Sequence, residues 1–467
     1  MNGDDVGLRG HLARAALAPL VAAATVVAFP AADAWGAVGL DILVVGLFGL
    51  VLYLFRPEIY RSLRAMIFFA AGFAVLAVAA GLVARQSPPP IELIPVAFPV
   101  FGFAVLFDGR IAAVAAMALA VLVGGQPSLA GTSATAFCFV GGVGAALSVG
   151  RIRSRTQAYG FILAVAAIYA AAAAVSGAVS RAPWSSIVHS AALGGVNALL
   201  SAALAMLLLP LAESFTHETT DLRLLELSDP NRPLLRRLAT EAAGTWAHSL
   251  ALANLSEAAC NAIGANGLLA RVGCYYHDIG KLRNPAFFHE NLRGSWNPHD
   301  GLPAAQSAAM IRRHVEDGLE LAREQRLPDP VTCFIPEHHG TLEITYFAER
   351  ARAADAKAAI PDEVFRYPGP LPRTAETAVT LLADGVEAAL RALDDPAPET
   401  IADAVTHLVR QRVAAGQLAE SPLTLRQIEV VRRTFGHVLS GVYHNRIAYP
   451  EDAGGITADW EAPRGAA

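Results

Sequence analysis

Eight apolar stretches crowd the first 210 residues, at roughly 15–34, 39–55, 65–84, 91–107, 111–125, 134–150, 157–179 and 187–210. About 20 such residues in a helix cross the roughly 30 Å of hydrocarbon in a bilayer. Charge is distributed accordingly: of the 77 Asp, Glu, Lys and Arg residues, 18 precede residue 211. A single water-exposed domain is therefore excluded. The pattern predicts a membrane domain over 1–210 with about eight transmembrane helices, a cytoplasmic domain over 211–450, and a frayed Gly-, Pro- and Ala-rich tail over 451–467.

Arginine placement orients the membrane half. With the N-terminus inside and eight spans, the inside segments hold Arg9, Arg14, Arg56, Arg61, Arg64, Arg110, Arg151, Arg153 and Arg155, and the outside segments only Arg85 and Arg181. That asymmetry follows the positive-inside rule and places both termini of a multi-pass chain in the cytoplasm. The short 111–125 run is needed for this parity. Asp41, Glu92 and Asp108 fall at span ends, where charge costs little, so the spans read as an anchor or sensor rather than a transport path. No basic tract suggests a nucleic-acid polymer as partner. The four scattered cysteines form no CxxC pair, which argues against a disulfide framework or zinc knuckle.

From Leu211 the apolar residues recur with helical spacing, broken at Asp229–Pro233, Leu327–Pro330 and Tyr367–Pro372. Helices are predicted near 233–243, 245–263, 266–278, 303–323, 330–339, 374–393, 398–415 and 424–442, giving an all-α fold for both halves. Along them lie His248, the pair His277-Asp278, His314, the pair His338-His339, and Asp384. Imidazole and carboxylate together suit borderline divalent ions. Seven such groups exceed one tetrahedral site but suit two adjacent ions, with His277 on one and Asp278 spanning both. Gly280 and Gly340 follow the doublets and permit the backbone to turn there. Lys281 falls within a turn of the doublet, where its charge could steady a phosphate. Taken singly, His314 would read as structural, as His299, His407, His437 and His444 do; it is the joint pattern that points to metal.

His248, HDIGK at 277–281, His314-Val315-Glu316-Asp317-Gly318, HHGT at 338–341 and LADGVEA around Asp384 resemble the HD-domain phosphohydrolases. Leu222–Leu227, Asn297-Pro298-His299-Asp300, Phe365–Pro370 and Tyr443–Pro450 narrow the resemblance to the membrane-anchored 7TM-HD proteins of the PgpH type. The likeness spans about 211–450, and more loosely the membrane half. It implies a cyclic di-AMP phosphodiesterase of the bacterial cell membrane that opens its substrate to linear di-adenylate. It also implies two divalent ions, iron or manganese: His248, His277, Asp278 and Asp384 on one, and His314, His338 and His339 on the other, bridged by Asp278. Lys281 matches the lysine near the phosphates.

Three departures stand out. Few residues separate Phe29-Pro30 from Leu40, where relatives carry a large extracytoplasmic domain. Thr245-Trp246-Ala247 precedes His248 where a tyrosine and a second histidine are common, and the stretch Phe287–Leu292 is altered. No GYP element follows HHGT, which argues against the cyclic di-GMP branch. Tyr346, Phe347 and Tyr367 are candidates for stacking on a purine, against a role in core packing; His299 or His289, or plain water, could protonate the leaving oxygen. Three readings compete with a cyclic di-AMP phosphodiesterase: another nucleotide second messenger as substrate, a nucleotide-binding receptor without turnover, and a transporter. A homo-oligomer is compatible with all of them.

Overall fold

The computed structural model describes residues 7–29, 34–149, 155–292, 297–354, 361–391, 393 and 396–444. The tail expected over 451–467, and Arg151 and Arg153 of the orienting set, lie outside the described residues. The fold is all-α: among the described residues there is no strand, only an isolated bridge between Glu343 and Arg366. Contacts divide the chain into two compact units, Met1–Leu224 and Leu225–Ala467.

The first unit contains α1 (Leu8–Ala15), α2 (Leu17–Ala28), α3 (Ala34–Phe55), α4 (Pro57–Arg61), α5 (Leu63–Ala84), α6 (Ala97–Leu106), α7 (Gly109–Gly124), α8 (Ala134–Ser148), α9 (Arg155–Ser180) and α10 (Trp184–Thr216). Five helical stretches are long and apolar enough to cross a membrane, and three more, over 91–106, 109–124 and 134–148, are apolar but shorter. Together they correspond one for one to the eight apolar runs. The short α7 is explained by its burial: Ala112, Ala115, Ala116, Leu119 and Ala120 are inaccessible, so it lies inside the bundle. Small residues let neighbours approach closely. A Cβ at Gly142 would lie 2.9 Å from that of Ala116, and one at Gly141 or Gly194 would strike the Tyr169 side chain. The unit extends past 210 because α10 continues to Thr216 and Leu222 packs against the same core.

The span-end carboxylates find specific partners. Asp108 caps α7 by accepting from the Arg110 N–H at 2.6 Å and pairs with Arg56 at 3.0 Å. Glu92 accepts from the Ser190 hydroxyl at 2.5 Å. Asp41 departs from the expectation of a cheap, wet position: it is fully buried against Gln126, whose amide donates to it at 3.3 Å.

The second unit contains α11 (Asp221–Leu227, which straddles the division), α12 (Pro233–Glu241), α13 (Ala243–Ala262), α14 (Gly267–Tyr276), α15 (Ala304–Glu324), α16 (Asp329–Thr332), α17 (Phe334–Glu337), α18 (Thr345–Ala354), α19 (Ala375–Arg391), α20 (Pro398–Ala414) and α21 (Leu425–His444). The predicted helices are present, with 330–339 split into α16 and α17, and α11 and α18 added. Helix α13 packs on α14, α19 and α21, and α15 lies across the turn that follows α14. Leu252, Cys274, Phe334, Leu382 and Val386 are among the buried side chains beneath these helices. Asn266 starts α14 by accepting from the Leu269 N–H at 3.1 Å, which satisfies one of the helix's free donors.

Candidate metal centre

Five helices bring the seven histidines and aspartates to one buried place. Helix α13 carries His248, α15 carries His314, and α19 carries Asp384. His277-Asp278 sits where α14 ends and a 3-10 turn over Ile279–Arg283 begins. His338-His339 follows the last residue of α17, and Gly340 takes φ +50°, a left-handed conformation suited to glycine. Gly280 works differently from the turn role expected of it. Its φ is not in the left-handed region; it allows close approach, since a Cβ there would lie 1.8 Å from the His314 carbonyl oxygen.

Side-chain atoms fall into two sets. His248, His277 and Asp384 place one ligand-type atom each within 4.8 Å of one another, and so do Asp278, His314, His338 and His339. Asp278 faces both. Its Oδ2 lies 3.1 Å from His277 Nε2 and 4.0 Å from His248 Nε2, while its Oδ1 lies 3.4 Å from His314 Nε2 and 3.6 Å from His338 Nε2. Asp384 also reaches across, with Oδ1 3.1 Å from His248 Nε2 and Oδ2 3.7 Å from His339 Nδ1.

Hydrogen bonds on the far side of each ring fix which nitrogen faces inward. His277 Nδ1–H donates to the Cys274 carbonyl at 2.7 Å, His314 Nδ1–H to that of Ile311 at 2.6 Å, and His338 Nδ1–H to that of Ile335 at 2.8 Å. A carbonyl only accepts, so each Nε2 presents a lone pair. His248 Nδ1–H donates to Glu387 Oε2 at 2.7 Å. Arg391 Nη2 lies 2.7 Å from the same nitrogen, but two donors cannot bond, so the Arg391 interaction is assigned to its carboxylate partner Glu387. Metal-binding histidines characteristically have such outer partners.

Four inward atoms are left without hydrogen bonds: His277 Nε2, Asp278 Oδ1, His314 Nε2 and His338 Nε2 are all buried and unpartnered. Several lone pairs and an anionic oxygen crowded together in a buried site repel one another unless positive charge lies among them. The donor set fits divalent cations by this test. Titration points the same way. Burial pushes His314 down to about 4, and burial with the nearby His338 holds His339 well below its usual value, so both rings stay neutral and able to coordinate. Burial would raise Asp278, but the neighbouring His277 and the charge of Lys281 hold it well below the usual carboxylate range. His248 is the exception: burial would lower it, yet its bonds to Asp384 and Glu387 raise it to about 9, so this ring must give up a proton before it can coordinate.

The remaining predicted residues are placed as follows. Lys281 Nζ sits between Asp278 Oδ2 and Glu290 Oε1, 2.7 Å from each, and is largely enclosed. Tyr367 stacks on His339, with centroids 4.1 Å apart and planes 25° from parallel, at the border of the second set. Phe347 is buried with Ala308, Ala348 and Phe365, which gives it the core-packing role; Tyr346 beside it is 67% exposed. His299 donates through Nε2 to the Phe287 carbonyl at 2.9 Å and packs against Phe347. His289 lies in the 3-10 turn His289–Asn291.

Sequence reasoning missed three supporting residues. Glu387 lies three residues after Asp384 on α19, a spacing that shares a helix face and could have revealed it. Glu290 accepts from Thr245 Oγ1 at 3.1 Å as well as from Lys281. Gln417 accepts from the Thr341 N–H and donates to its Oγ1, both at 3.0 Å, clasping the turn after His339. No local pattern announces these last two.

Residues 33–220 match the family described as 7TM receptor with intracellular HD hydrolase, and residues 245–389 match the HD domain family. The first match takes in the seven apolar helices α3 and α5–α10 and begins after α2. The chain is 42% identical over 259 residues to the cyclic-di-AMP phosphodiesterase PgpH of Bacillus subtilis (strain 168), covering 56% of this chain and 36% of that one. It is 36% identical over 353 residues to the uncharacterized protein slr0104 of Synechocystis, covering 71% and 43%. The chain thus spans well under half the length of these relatives. A crystal structure of the Listeria monocytogenes phosphodiesterase PgpH HD domain in complex with cyclic-di-AMP is 39% identical, covers 46% of this chain and 100% of that chain, and has a TM-score of 0.45. With both halves matched in order and the HD residues gathered into one buried centre, the chain joins a membrane region of the 7TM-receptor type to an HD domain, and it is similar over 259 residues to a PgpH phosphodiesterase.

Proposed function

We propose that the chain is a metal-dependent phosphodiesterase that opens cyclic di-AMP at one phosphodiester bond to give linear di-adenylate. The observation that carries the metal-dependent reading is the Asp278 carboxylate, whose two oxygens face two different histidine sets. The nucleotide is suggested by the Bacillus subtilis relative, named as a cyclic-di-AMP phosphodiesterase. His248, His277, Asp384 and Asp278 would hold one divalent ion; His314, His338, His339 and Asp278 would hold the other, manganese or iron by the mix of imidazole and carboxylate. When bound, two such ions lower the pKa of a water, polarise the phosphate and offset the charge that repels an incoming hydroxide.

The chain's own residues prepare that chemistry. The carbonyls of Cys274, Ile311 and Ile335 and the carboxylate of Glu387 keep four imidazoles in the coordinating tautomer. Lys281, braced by Glu290, keeps Asp278 ionised and aimed. Its first task is thus to position that carboxylate, and the third N–H of its ammonium is the one left for a substrate phosphate. Tyr367 forms a flat wall beside His339, where a purine could stack. His299 has committed Nε2 to a carbonyl and buries Nδ1, which leaves water or His289 as the source of the leaving group's proton.

The test is the full chain in lipid nanodiscs, loaded with manganese and offered cyclic di-AMP, cyclic di-GMP, a mixed cyclic dinucleotide and a linear alarmone nucleotide. Preferential opening of cyclic di-AMP is expected, with loss on the order of 100-fold or more in Asp278→Ala, as removal of a metal-site interaction worth several kcal/mol predicts. Preference for another nucleotide would reassign the substrate. Tight nucleotide binding with no turnover would replace the enzyme with a receptor.

A further inference from the structure

A groove of about 640 Å³ lies within the membrane unit among α1, α2, α3 and α5. Phe48 of α3 and Met66 and Phe69 of α5 line its apolar length. One end is polar: His11 and Arg14 of α1, Tyr53 in the last turn of α3, and Tyr60 of α4. Tyrosines at the ends of spans mark the level where hydrocarbon meets headgroups. From Tyr53 to Gly46 the groove follows α3 for roughly 10 Å at 1.5 Å per residue, long enough for a good part of an acyl chain.

The charge at the mouth is unbalanced. Arg14 Nε donates to the Tyr60 carbonyl at 2.6 Å, Nη1 to that of Gly10 at 2.7 Å, and Nη2 to that of Arg61. Carbonyls orient the guanidinium without neutralising it, and two of its five N–H groups remain. His11 Nδ1 lies 3.0 Å from the Tyr60 hydroxyl beside it. Among the described residues no carboxylate lines the groove. Arg56, close by in sequence, differs: it pairs with Glu58 at 2.5 Å and Asp108 at 3.0 Å. Glycines keep the groove open, since a Cβ at Gly46 would meet nothing within 4 Å and one at Gly49 only the tip of Met66 at 3.9 Å.

We propose that this groove seats one acyl chain of an anionic phospholipid, with the lipid phosphate held at Arg14 and His11. Basic pockets between spans recognise anionic headgroups by this combination of unpaired cation and apolar slot. The occupant is a lipid rather than a soluble phosphate, because the phosphate site opens directly onto the apolar length.

The full chain, reconstituted in nanodiscs of phosphatidylcholine containing a small fraction of phosphatidylglycerol, tests this by native mass spectrometry of retained lipid. One phosphatidylglycerol per chain is expected, enriched roughly tenfold or more over its share of the disc, and reduced by roughly tenfold or more in Gly46→Leu and in Arg14→Gln, the size of change one charge or one filled slot produces. Gly46→Leu leaves every contact of Arg14 in place and projects into open space, so its effect does not depend on α1 staying docked. The comparison of the two lipids on the unaltered chain needs no variant. Equal retention of both lipids, or unchanged phosphatidylglycerol retention in folded Gly46→Leu, would overturn the proposal.

Discussion

Asp278 can face two histidine sets because its carboxylate has two oxygens and its backbone lies at the junction of α14 and a 3-10 turn, where consecutive side chains diverge from a helix face. His277 and Asp278 therefore converge although they are neighbours in sequence. This much was readable in advance, since metal-binding chemistry restricts the residue types so tightly. The outer partners were harder to read: a carboxylate that fixes a tautomer is one glutamate among many. Glu387 carries a direct test. Glu387→Ala leaves the His248 ring free to rotate and change tautomer, so manganese affinity should fall on the order of 10–100-fold, read by metal titration of a chain whose helical content is unchanged. Unaltered affinity would remove Glu387 from the centre. The aromatic candidates separate by stability. Phe347→Ala should cost about 3–5 kcal/mol as a core truncation, while exposed Tyr346→Ala should stay within about 0.5 kcal/mol, as denaturant unfolding of the second unit would report.

Elements were legible where periodicity and breakers agreed. Helices α12 to α15 and α19 to α21 match the sequence reading closely, because each has an apolar face and a Pro, Gly or Asn near an end. Helix α18 was missed: its short Thr345–Ala354 span is amphipathic mainly through Phe347, Ala348 and Ala351, and its place depends on a distant segment, with Ile344 N–H donating to the Phe365 carbonyl at 2.8 Å. Asp41 was misjudged for a similar reason, as the wall that buries it comes from Gln126 beyond four intervening helices. Close approach is equally invisible to local pattern. Gly280 lets the turn after Asp278 rest on α15, so Gly280→Ala must push backbone apart by more than an ångström, given that the added Cβ would lie only 1.8 Å from the His314 carbonyl oxygen. A loss of about 1–3 kcal/mol, typical of overpacking, is expected together with weakened metal uptake. Normal stability would show that α15 has room to move. Gln417→Leu should strand the Thr341 N–H and cost about 1–3 kcal/mol, measured by the same unfolding experiment.

At the scale of the chain, charge distribution divided membrane from water-facing sequence, and the two compact units divide near that point. The family match over 33–220 encloses seven of the eight apolar helices, and α1–α2 precede it. An even number of crossings predicts both ends on one side. Cysteines introduced before α1 and after α21 in intact bacterial vesicles should react with a membrane-impermeant reagent together, from the cytoplasmic face; labelling from opposite faces would contradict the span count. The proposed catalysis depends on a narrower matter, which is whether two cations share Asp278. Elemental analysis of the fully active chain, after removal of loosely held metal, measures it directly. Two ions per chain, with Asp278→Ala losing both the pair and turnover, is the predicted result; full activity with no more than one ion would contradict it.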